Sequence, residues 1–505
     1  MRKSLLALVL LFLILSPGLL AQSESKKIDQ LVEKAMRQWN VPGMSVAVVK
    51  DGKIVMSKGY GTIEKGRTLK VDNETLFAIA SNTKGFLSSA IATLVTDGKL
   101  KWDDKVRDYL PYFESYDPYV TNEITIRDLL CHRVGLGTFS GDAIWYKSEL
   151  PAEEVIKLAK HVPQAFSFRG GYGYSNLMFI TAGEVVRAVT GKPWDEYVKE
   201  RFFVPLAMNR TITSTNDLDK KGNYAIPHKT TMGVNTPISW VNWDNMSAAG
   251  AIISSSDDMA RWMIMHLNNG VYQGNALLDA EQQNTLWTVH NPWKLSIEDK
   301  KRIPGRHFAG YGLGFGLQDY FGRQIVSHSG GYDGMYSRVM MVPDEKLGIV
   351  VLTNNMSGIT RPLCYAIINE FIKEDKRDWI TESYSPPQPD ERVTALRRAR
   401  LKGTQPTLPT RKYAGDYFAE MYGDISVKIE SGRLRLNFEH SPLLSASLKH
   451  WHNNTWEIVW DENHAWFGFG LATFELNDQL EVSGIKLNVP NGDIFFDEYD
   501  IVRKP

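Results

Sequence analysis

Ser81 and Lys84 are three residues apart, and a serine and a lysine at this spacing could serve as a nucleophile and its base. An apolar run with helical spacing follows over residues 86–95, so both side chains would lie on one face of a helix that begins near Ser81. A serine hydroxyl needs a base beside it, and a lysine among apolar side chains can lose its proton and serve as that base. The pair predicts acyl transfer; the alternative is a serine that caps a helix beside a solvated lysine.

A glycine-rich loop at residues 166–176 presents two further polar side chains, Tyr174 and Asn176, directly before an apolar helical run. A tyrosine near a Ser/Lys pair can relay a proton to a leaving group. An asparagine amide can hold a substrate carbonyl and orient the lysine. No lysine of the phosphate-binding type follows the glycines, so this is not a nucleotide loop. The alternative is an aromatic loop that packs on the core.

His328, Ser329 and Gly331 belong to a His-Ser-Gly-Gly sequence that ends a predicted strand. Glycine in a strand often marks the close approach of another backbone or of a ligand, so this sequence is a candidate wall for an extended substrate. His132, near the end of a predicted helix over residues 124–136, could also be catalytic. A histidine at a helix end more often hydrogen-bonds the backbone, and that interpretation is favoured.

These segments lie far apart in the chain and need a scaffold that brings them together. A buried-strand run at residues 44–49 and a returning strand flank the turn sequence Asp51-Gly52, which predicts a hairpin. Helical patterns fill the middle of the chain, and strands return over residues 311–354. We expect the outer strands to share one antiparallel sheet with helices on its faces, an α+β arrangement.

The length of 505 residues predicts two or three domains. The first unit spans residues 27–374, and residues 375–410 are polar, charged and proline-bearing, which is typical of a linker. Residues 411–503 carry eight or nine short aromatic and β-branched runs between turns, which predicts a small antiparallel barrel or sandwich. We expect side chains to fill its interior; an apolar ligand there is the alternative.

The N-terminal residues 1–21 combine a basic start, an apolar run and a small last residue, Ala21. This pattern predicts a secretory signal peptide cleaved near Ala21, with an uncleaved anchor as the alternative. No other apolar run is long enough to span a membrane. We therefore expect a secreted or periplasmic protein without a stable membrane span.

The charge balance and the cysteine content exclude several classes of protein. The 58 Lys and Arg residues equal the 58 Asp and Glu residues, so no basic surplus indicates a nucleic-acid partner. Two cysteines, Cys131 and Cys364, are too few for a disulfide-rich fold. One bridge between them is an alternative to the favoured interpretation, two buried thiols. No cluster has zinc-ligand spacing, so no metal or organic cofactor is expected.

Three motifs stand in the order of a known family: Ser81-Asn-Thr-Lys84, Tyr174-Ser-Asn176 and His328-Ser-Gly-Gly331. On these motifs, residues 27–374 resemble the serine β-lactamase and penicillin-binding-protein superfamily. The resemblance is closest to its class C β-lactamase-like branch, which includes esterases, D-stereospecific peptidases and DD-carboxypeptidases. It implies a β-lactamase/transpeptidase-like fold, an antiparallel sheet flanked by helices plus an all-helical subdomain. Residues 411–503 resemble the lipocalin-like barrel appended to some members.

The resemblance also implies catalytic roles, residue by residue. Ser81 would be the nucleophile, Lys84 its base, and Tyr174 the group that passes a proton to the leaving group. Asn176 would bind the substrate amide. The backbone N–H groups of Ser81 and Gly331 would form the oxyanion hole.

The resemblance departs from the common pattern at His328. Many relatives carry a lysine there that reads a substrate carboxylate, whereas a histidine is mostly neutral near pH 7. Strong carboxylate recognition is therefore not expected, and His328 and Ser329 are predicted to bind substrate without it.

Together these features predict a serine hydrolase that works through an acyl-enzyme. We expect it to cleave amide or ester bonds of small peptides, including peptides that contain D-amino acids. One alternative is a DD-carboxypeptidase or β-lactamase that acts on peptidoglycan peptides or β-lactams. The other is a non-catalytic penicillin-binding or peptidoglycan-binding protein. The C-terminal barrel is predicted either to cover the cleft or to form a homo-oligomer.

Overall fold

The computed structural model describes the backbone of residues 16–505 and the side chains from residue 25 onward. The predicted signal peptide, residues 1–21, lies outside these described side chains, and residues 1–15 lie outside the description altogether. Within residues 16–505, none of the helices has the length and apolar character that crossing a bilayer requires.

An antiparallel sheet forms the centre of the first unit and includes the predicted hairpin at Asp51-Gly52. Its eight strands run in the order β2-β1-β14-β13-β12-β11-β10-β9. The outer parts of the chain supply these strands, as the sequence predicts. The strands of the first unit are β1 (Gly43–Lys50), β2 (Lys53–Gly61), β3 (Phe77–Ala78), β4 (His228–Thr231), β5 (Val234–Pro237), β6 (Ile253–Ser254), β7 (Val271–Tyr272), β8 (Asn275–Ala276), β9 (Asn291–Pro292), β10 (Ala309–Tyr311), β11 (Gly316–Tyr320), β12 (Arg323–Tyr332), β13 (Met335–Val342) and β14 (Leu347–Thr353).

Helices cover both faces of this sheet, because its central strands are apolar on both sides. Strand β14 is buried along its whole length, and β1 is buried except at Lys50. The helices Ser16–Trp39 and Thr360–Ile372 pack on one face, and Ser256–Leu267 packs on the other together with the helical middle of the chain. That middle contains Thr83–Thr96, Val106–Tyr109, Pro118–Glu123, Ile126–Leu130, Asp142–Trp145, Ala152–Leu158, Asn176–Thr190, Trp194–Val198, Leu218–Lys221, Ser247–Gly250, Ala280–Leu286 and Ile297–Arg302.

A closed antiparallel barrel of eight strands forms the C-terminal unit. Aromatic rings fill its interior: Tyr413 packs on Trp456 and Phe474, with ring centroids 4.5 and 5.1 Å apart. The predictions of a barrel and of a side-chain-filled interior are confirmed, and so is the α+β class of the whole. The barrel strands are β15 (Gly415–Ala419), β16 (Gly423–Glu430), β17 (Arg433–Phe438), β18 (Ala446–His452), β19 (Thr455–Trp460), β20 (Leu471–Leu476), β21 (Val482–Asn488) and β22 (Ile501–Arg503).

The segment between the two units is packed rather than free. Its first helix, Trp379–Glu382, stacks Trp379 on Tyr365 with ring centroids 4.4 Å apart. Its second helix, Glu391–Arg398, places Val393 and Leu396 against an apolar cluster of the barrel. The segment therefore contacts both units, although its composition is polar.

The two cysteines, Cys131 and Cys364, are buried and unpaired. Burial raises the pKa of each thiol to about 12, so both stay protonated at neutral pH. The favoured prediction of two buried thiols is confirmed, and the alternative of a bridge between them is wrong.

Candidate active site

Ser81 lies in a short helical turn, Ala80–Asn82, directly before the buried helix Thr83–Thr96. The preceding residue, Ala80, has φ 47°, in the left-handed region that an alanine enters only with strain. This turn places Ser81 directly before the helix Thr83–Thr96. Lys84 lies in the first turn of that helix, as the spacing predicts.

The Lys84 amine is fully buried and makes three hydrogen bonds. It donates to Ser81 Oγ at 3.1 Å, to Asn176 Oδ1 at 2.7 Å and to the backbone oxygen of Ala249 at 2.7 Å. Burial lowers the pKa of Lys84 from 10.5 to about 7, because the charged form loses its hydration. A substantial fraction of the amine is therefore neutral at physiological pH and able to accept a proton. This excludes the alternative of a solvated lysine.

Tyr174 completes the group around the serine. Its ring lies 4.8 Å from the Lys84 amine, and Tyr174 and Ser81 line the same cleft. Burial holds the pKa of Tyr174 well above its usual value, so the phenol keeps its proton. The structure thus brings Ser81, Lys84, Tyr174 and Asn176 together from two segments of the chain.

Asp142, which the sequence analysis missed, extends this cluster behind Asn176. Asn176 Nδ2 donates to Asp142 Oδ2 at 2.6 Å, and Trp145 Nε1 donates to Asp142 Oδ1 at 2.9 Å. Burial raises the pKa of Asp142 to about 8, while the nearby Lys84 charge opposes that rise. A lone aspartate before an apolar tripeptide carries no motif, so only its place in the fold reveals it.

His328 lies in β12 with both ring nitrogens in hydrogen bonds inside the protein. Nδ1 lies 2.6 Å from the backbone oxygen of Ser329, which can only accept, so Nδ1 carries the proton. Nε2 then accepts from the Tyr311 hydroxyl at 2.7 Å. Burial lowers the pKa of His328 to about 3, and the Lys84 charge acts in the same direction. His328 is therefore a neutral part of the cleft wall beside the exposed Ser329.

The glycines of the same strand permit the close approach that the sequence predicts. A Cβ atom on Gly330 would lie 2.0 Å from the backbone oxygen of Ile79, in the turn before Ser81. A Cβ atom on Gly331 would lie 2.9 Å from Tyr336 and 3.0 Å from the Trp466 ring. Strand β12 therefore abuts both the serine turn and a loop of the barrel.

His132 supports the Tyr174 loop from behind. Its Nδ1 accepts from the backbone N–H of Ser175 at 3.1 Å. Its buried ring packs between Tyr174 and Tyr311, with centroids 4.3 and 4.7 Å away. The favoured prediction, a histidine that hydrogen-bonds the backbone, is confirmed.

The cleft that contains Ser81 has a volume of about 740 Å³, and the barrel forms part of its wall. Three barrel residues line it: Trp466, Asp493 and Ile494. Another barrel residue, Glu498, accepts hydrogen bonds from the Ser140 hydroxyl and, at 2.8 Å, from the Gly141 N–H. The barrel therefore forms part of the cleft wall, and it braces the residues just before Asp142.

A buried amine beside a serine hydroxyl has the geometry of a base-assisted serine nucleophile. The profile of the Beta-lactamase family matches residues 28–363, well over half of the chain. The chain belongs to the Beta-lactamase family. Residues 399–503 match a separate domain of unknown function (DUF3471). Across the described side chains, no group of three or more His, Cys, Asp or Glu residues is placed to hold a metal ion.

Several relatives and solved structures are similar to this chain. Unguisins hydrolase ungD' of Aspergillus campestris is 28% identical over 424 residues, which cover 79% of this chain and 76% of that protein. The octameric penicillin-binding protein homologue of Pyrococcus abyssi covers 95% of this chain and 99% of its own, with a TM-score of 0.61 and 20% identity. A D-stereospecific amidohydrolase of Streptomyces sp. covers 70% of this chain and 99% of its own, with a TM-score of 0.56 and 22% identity. These structures share the predicted β-lactamase/transpeptidase-like fold, which is thereby confirmed.

Proposed function

We propose that this chain is a serine hydrolase that forms an acyl-enzyme on Ser81. The observation that carries this proposal is the buried Lys84 amine, 3.1 Å from Ser81 Oγ and with a pKa lowered to about 7. A neutral amine at that distance can activate a hydroxyl that is otherwise a weak nucleophile.

In the acylation step, Lys84 takes the proton of Ser81 while Oγ attacks the substrate carbonyl. The backbone N–H groups of Ser81 and Gly331 stabilise the negative oxygen that develops, an interaction commonly worth about 3–4 kcal/mol per donor. Tyr174 then gives its proton to the leaving amine or alcohol and regains one from protonated Lys84. The net change is transfer of the serine proton to the leaving group.

Deacylation reverses these roles with water as the nucleophile. Lys84, neutral again, takes a proton from a water molecule that attacks the ester carbonyl. The proton returns to Ser81 Oγ as the carboxylic acid leaves. Asn176 holds Lys84 in place through Oδ1, and we propose that it also contacts the substrate amide.

The substrates we propose are small peptides, including ones with D-amino acids, cleaved at amide or ester bonds. Two observations support this class: the names of the Aspergillus hydrolase and the Streptomyces amidohydrolase, and a cleft walled by aromatic rings. Bulky apolar side chains would pack against those rings. They are Trp145, Tyr172, Trp243 and Trp293.

We further propose that residues 27–374 are the hydrolase unit, residues 375–410 the connection and residues 411–503 the barrel. Export after cleavage near Ala21 would place the enzyme in the periplasm or outside the cell. A homo-oligomer formed through the barrel is a further proposal, supported by the description of the Pyrococcus abyssi homologue as octameric.

The test is a substrate panel with Ser81→Ala as the blank. The panel contains p-nitrophenyl esters, a D-Ala-D-Ala peptide and nitrocefin, and a fluorophosphonate probe reports the nucleophile. Ser81→Ala should lose both turnover and labelling, whereas Ser483→Ala, at an exposed barrel position, should keep both. Full turnover in Ser81→Ala would contradict the proposal.

The panel also separates the alternatives. Preferred turnover of nitrocefin or of the D-Ala-D-Ala peptide over the esters would favour a β-lactamase or DD-carboxypeptidase. A stable covalent label on Ser81 without turnover of any substrate would favour a non-catalytic penicillin-binding protein.

A further inference from the structure

The aromatic lining of the catalytic cleft falls into two groups, and the first surrounds Tyr174. Tyr172 and Trp293 pack together with ring centroids 5.2 Å apart, and Tyr172 also contacts Tyr311 at 5.9 Å. Tyr311 donates to His328, whose ring lies 6.1 Å from that of Tyr174. Because Tyr174 is the proposed proton donor to the leaving group, these rings belong to the leaving side of the cleft.

The second group consists of Trp145 and Trp243, with ring centroids 5.4 Å apart. Trp243 packs on Tyr332, the residue after Gly331, with centroids 4.7 Å apart. Gly331 lies three residues beyond His328 on β12, about 10 Å along an extended strand, so the two groups lie at different ends of the same motif. A carbonyl held at the Gly331 N–H with its leaving group toward Tyr174 therefore directs its acyl group toward these two indoles.

The Trp243 indole is held at both edges. Its Nε1 donates to Asp333 Oδ2 at 3.2 Å. At the opposite edge, a Cβ atom on Gly250 would lie 3.0 Å from the six-membered ring, so the indole packs directly on this backbone. The neighbouring Ala249 supplies the backbone oxygen that accepts from Lys84. Asp333 thus orients Trp243 from one side, and the backbone that holds the base supports it from the other.

Asp333 is a buried carboxyl that joins separate segments of the cleft wall. Its Oδ1 accepts from the Tyr146 hydroxyl at 2.7 Å, while Oδ2 accepts from Trp243. Tyr146 follows Trp145 directly, so the carboxyl connects the backbone of one indole to the ring of the other. Burial raises the pKa of Asp333, and the charge of Lys147 opposes that rise. An apolar residue here would avoid the cost of desolvation, which favours a role in orientation over one in stability.

We propose that Asp333 is a positioning residue that fixes Trp243 against Trp145, and that these indoles form an acyl-side pocket for an aromatic or bulky apolar side chain. The inference rests on the proposed function, because attack by Ser81 defines the acyl side. A side chain packed on two indoles buries apolar surface and gains the edge contacts that aromatic rings favour. Asp333 does not touch the substrate; it acts through Trp243 and Tyr146.

Two p-nitrophenyl esters with the same leaving group test the pocket. The measured quantity is the ratio of kcat/KM for the 3-phenylpropionate to kcat/KM for the acetate. The wild type should favour the 3-phenylpropionate at least about tenfold, and Asp333→Ala should lower the ratio about tenfold. Asp333→Asn should keep most of the preference, because an amide can accept from Trp243 and donate to the Tyr146 oxygen. Asp478→Ala, at an exposed barrel position, is the control.

A double-mutant cycle tests whether Asp333 acts through Trp243. Trp243→Phe keeps an aromatic ring but removes the Nε1 donor, so it should lower the ratio about as much as Asp333→Ala. The two losses should not add in the double variant, because they remove the same hydrogen bond. If Asp333→Ala does not fold, the ratio in Trp243→Phe decides alone.

Binding without turnover provides a test that does not depend on catalysis. In Ser81→Ala, 3-phenylpropionamide should raise the thermal midpoint more than propionamide does, and adding Asp333→Ala should remove that difference. If the wild type turns over neither ester, the proposed function fails, while the two amides still test the pocket.

Three outcomes would overturn the inference. One is a wild type that does not favour the 3-phenylpropionate or, without turnover, equal stabilisation by the two amides. A second is an unchanged ratio in Asp333→Ala with a lower thermal midpoint, which would assign Asp333 a structural role. The third is additive losses in the double variant, which would show that Asp333 does not act through Trp243.

Discussion

The amide of Asn176 joins the Lys84 amine to the Asp142 carboxyl. Its Oδ1 accepts from Lys84 at 2.7 Å, and its Nδ2 donates to Asp142 at 2.6 Å. The amide orientation is set by Lys84, because a charged amine can only donate and therefore faces Oδ1, which leaves Nδ2 to donate to Asp142. The protonation state of Asp142 therefore influences the base through a single side chain.

The first prediction concerns the pH dependence of activity. In the proposed mechanism Lys84 acts as a base only when neutral, and its pKa is about 7, so kcat/KM should rise with pH and level off above that value. The Asp142 charge raises the pKa of Lys84. Because the pKa of Asp142 is about 8, only the ionised fraction of its carboxyl acts on Lys84 near pH 7, so Asp142→Asn should move the acidic limb to lower pH by a small amount. A pH profile of ester hydrolysis measures the shift. Asp500→Asn, at an exposed barrel position, is the control. An unchanged acidic limb in Asp142→Asn would contradict the coupling between Asp142 and Lys84.

The second prediction separates the roles of Tyr174 and Lys84. Tyr174→Phe removes the proposed proton donor to the leaving group, so amide hydrolysis should fall about 10²- to 10⁴-fold. Hydrolysis of p-nitrophenyl esters should fall much less, because p-nitrophenolate leaves without being protonated. The ratio of the two rates in wild type and variant is the measurement. Equal losses on both substrates would show that the phenol acts elsewhere in the cycle.

The third prediction concerns the contact between β12 and the serine turn. Gly330→Ala would place a Cβ atom 2.0 Å from the Ile79 backbone oxygen, so the turn or the strand must shift. We expect a loss of about 1–3 kcal/mol in the free energy of unfolding, as for an overpacked core, and strongly reduced activity. Gly492→Ala, where a Cβ atom meets nothing within 4 Å, is the matched control for stability by thermal denaturation. A Gly330→Ala variant as stable and active as the wild type would refute the contact.

The fourth prediction tests the brace that the barrel provides. Glu498→Ala removes the acceptor for Ser140 and Gly141, and hydrogen bonds to a charged group contribute about 1.5–3 kcal/mol. We expect reduced kcat/KM together with a lower thermal midpoint, because the segment before Asp142 loses its partner. The neighbouring exposed residue offers a control, Asp497→Asn, which should leave both quantities unchanged. Unaltered activity in Glu498→Ala would limit the barrel to a passive cover.

The sequence predicted those parts of the site whose residues lie in contiguous motifs. Ser81 and Lys84 share one helical turn, and the glycines beside His328 predict the close approach of another backbone. The local sequence pattern was therefore sufficient to identify these residues. Asp142 has no such pattern, because its role depends on contacts between segments far apart in the chain. For the same reason, the hydrogen bonds that keep His328 neutral could not be predicted from the sequence.

The hydrophobic periodicity of the sequence predicted the elements of the fold more readily than the contacts between them. Apolar strands and a run of short β segments predicted the sheet and the barrel. The packing of residues 375–410 against both units was not predicted, because the segment is polar in composition. Two of its apolar residues, Trp379 and Leu396, make the tertiary contacts.

The position of Glu498 and Trp466 in the barrel has a consequence for biosynthesis. The serine turn and the Lys84 helix are translated several hundred residues before the loops that wall the cleft. A nascent chain can therefore form its sheet while the catalytic cleft is still open to water along one side. Hydrolytic activity would mature late, when the barrel closes and docks, and a ribosome-bound or prematurely terminated product would be a poor hydrolase.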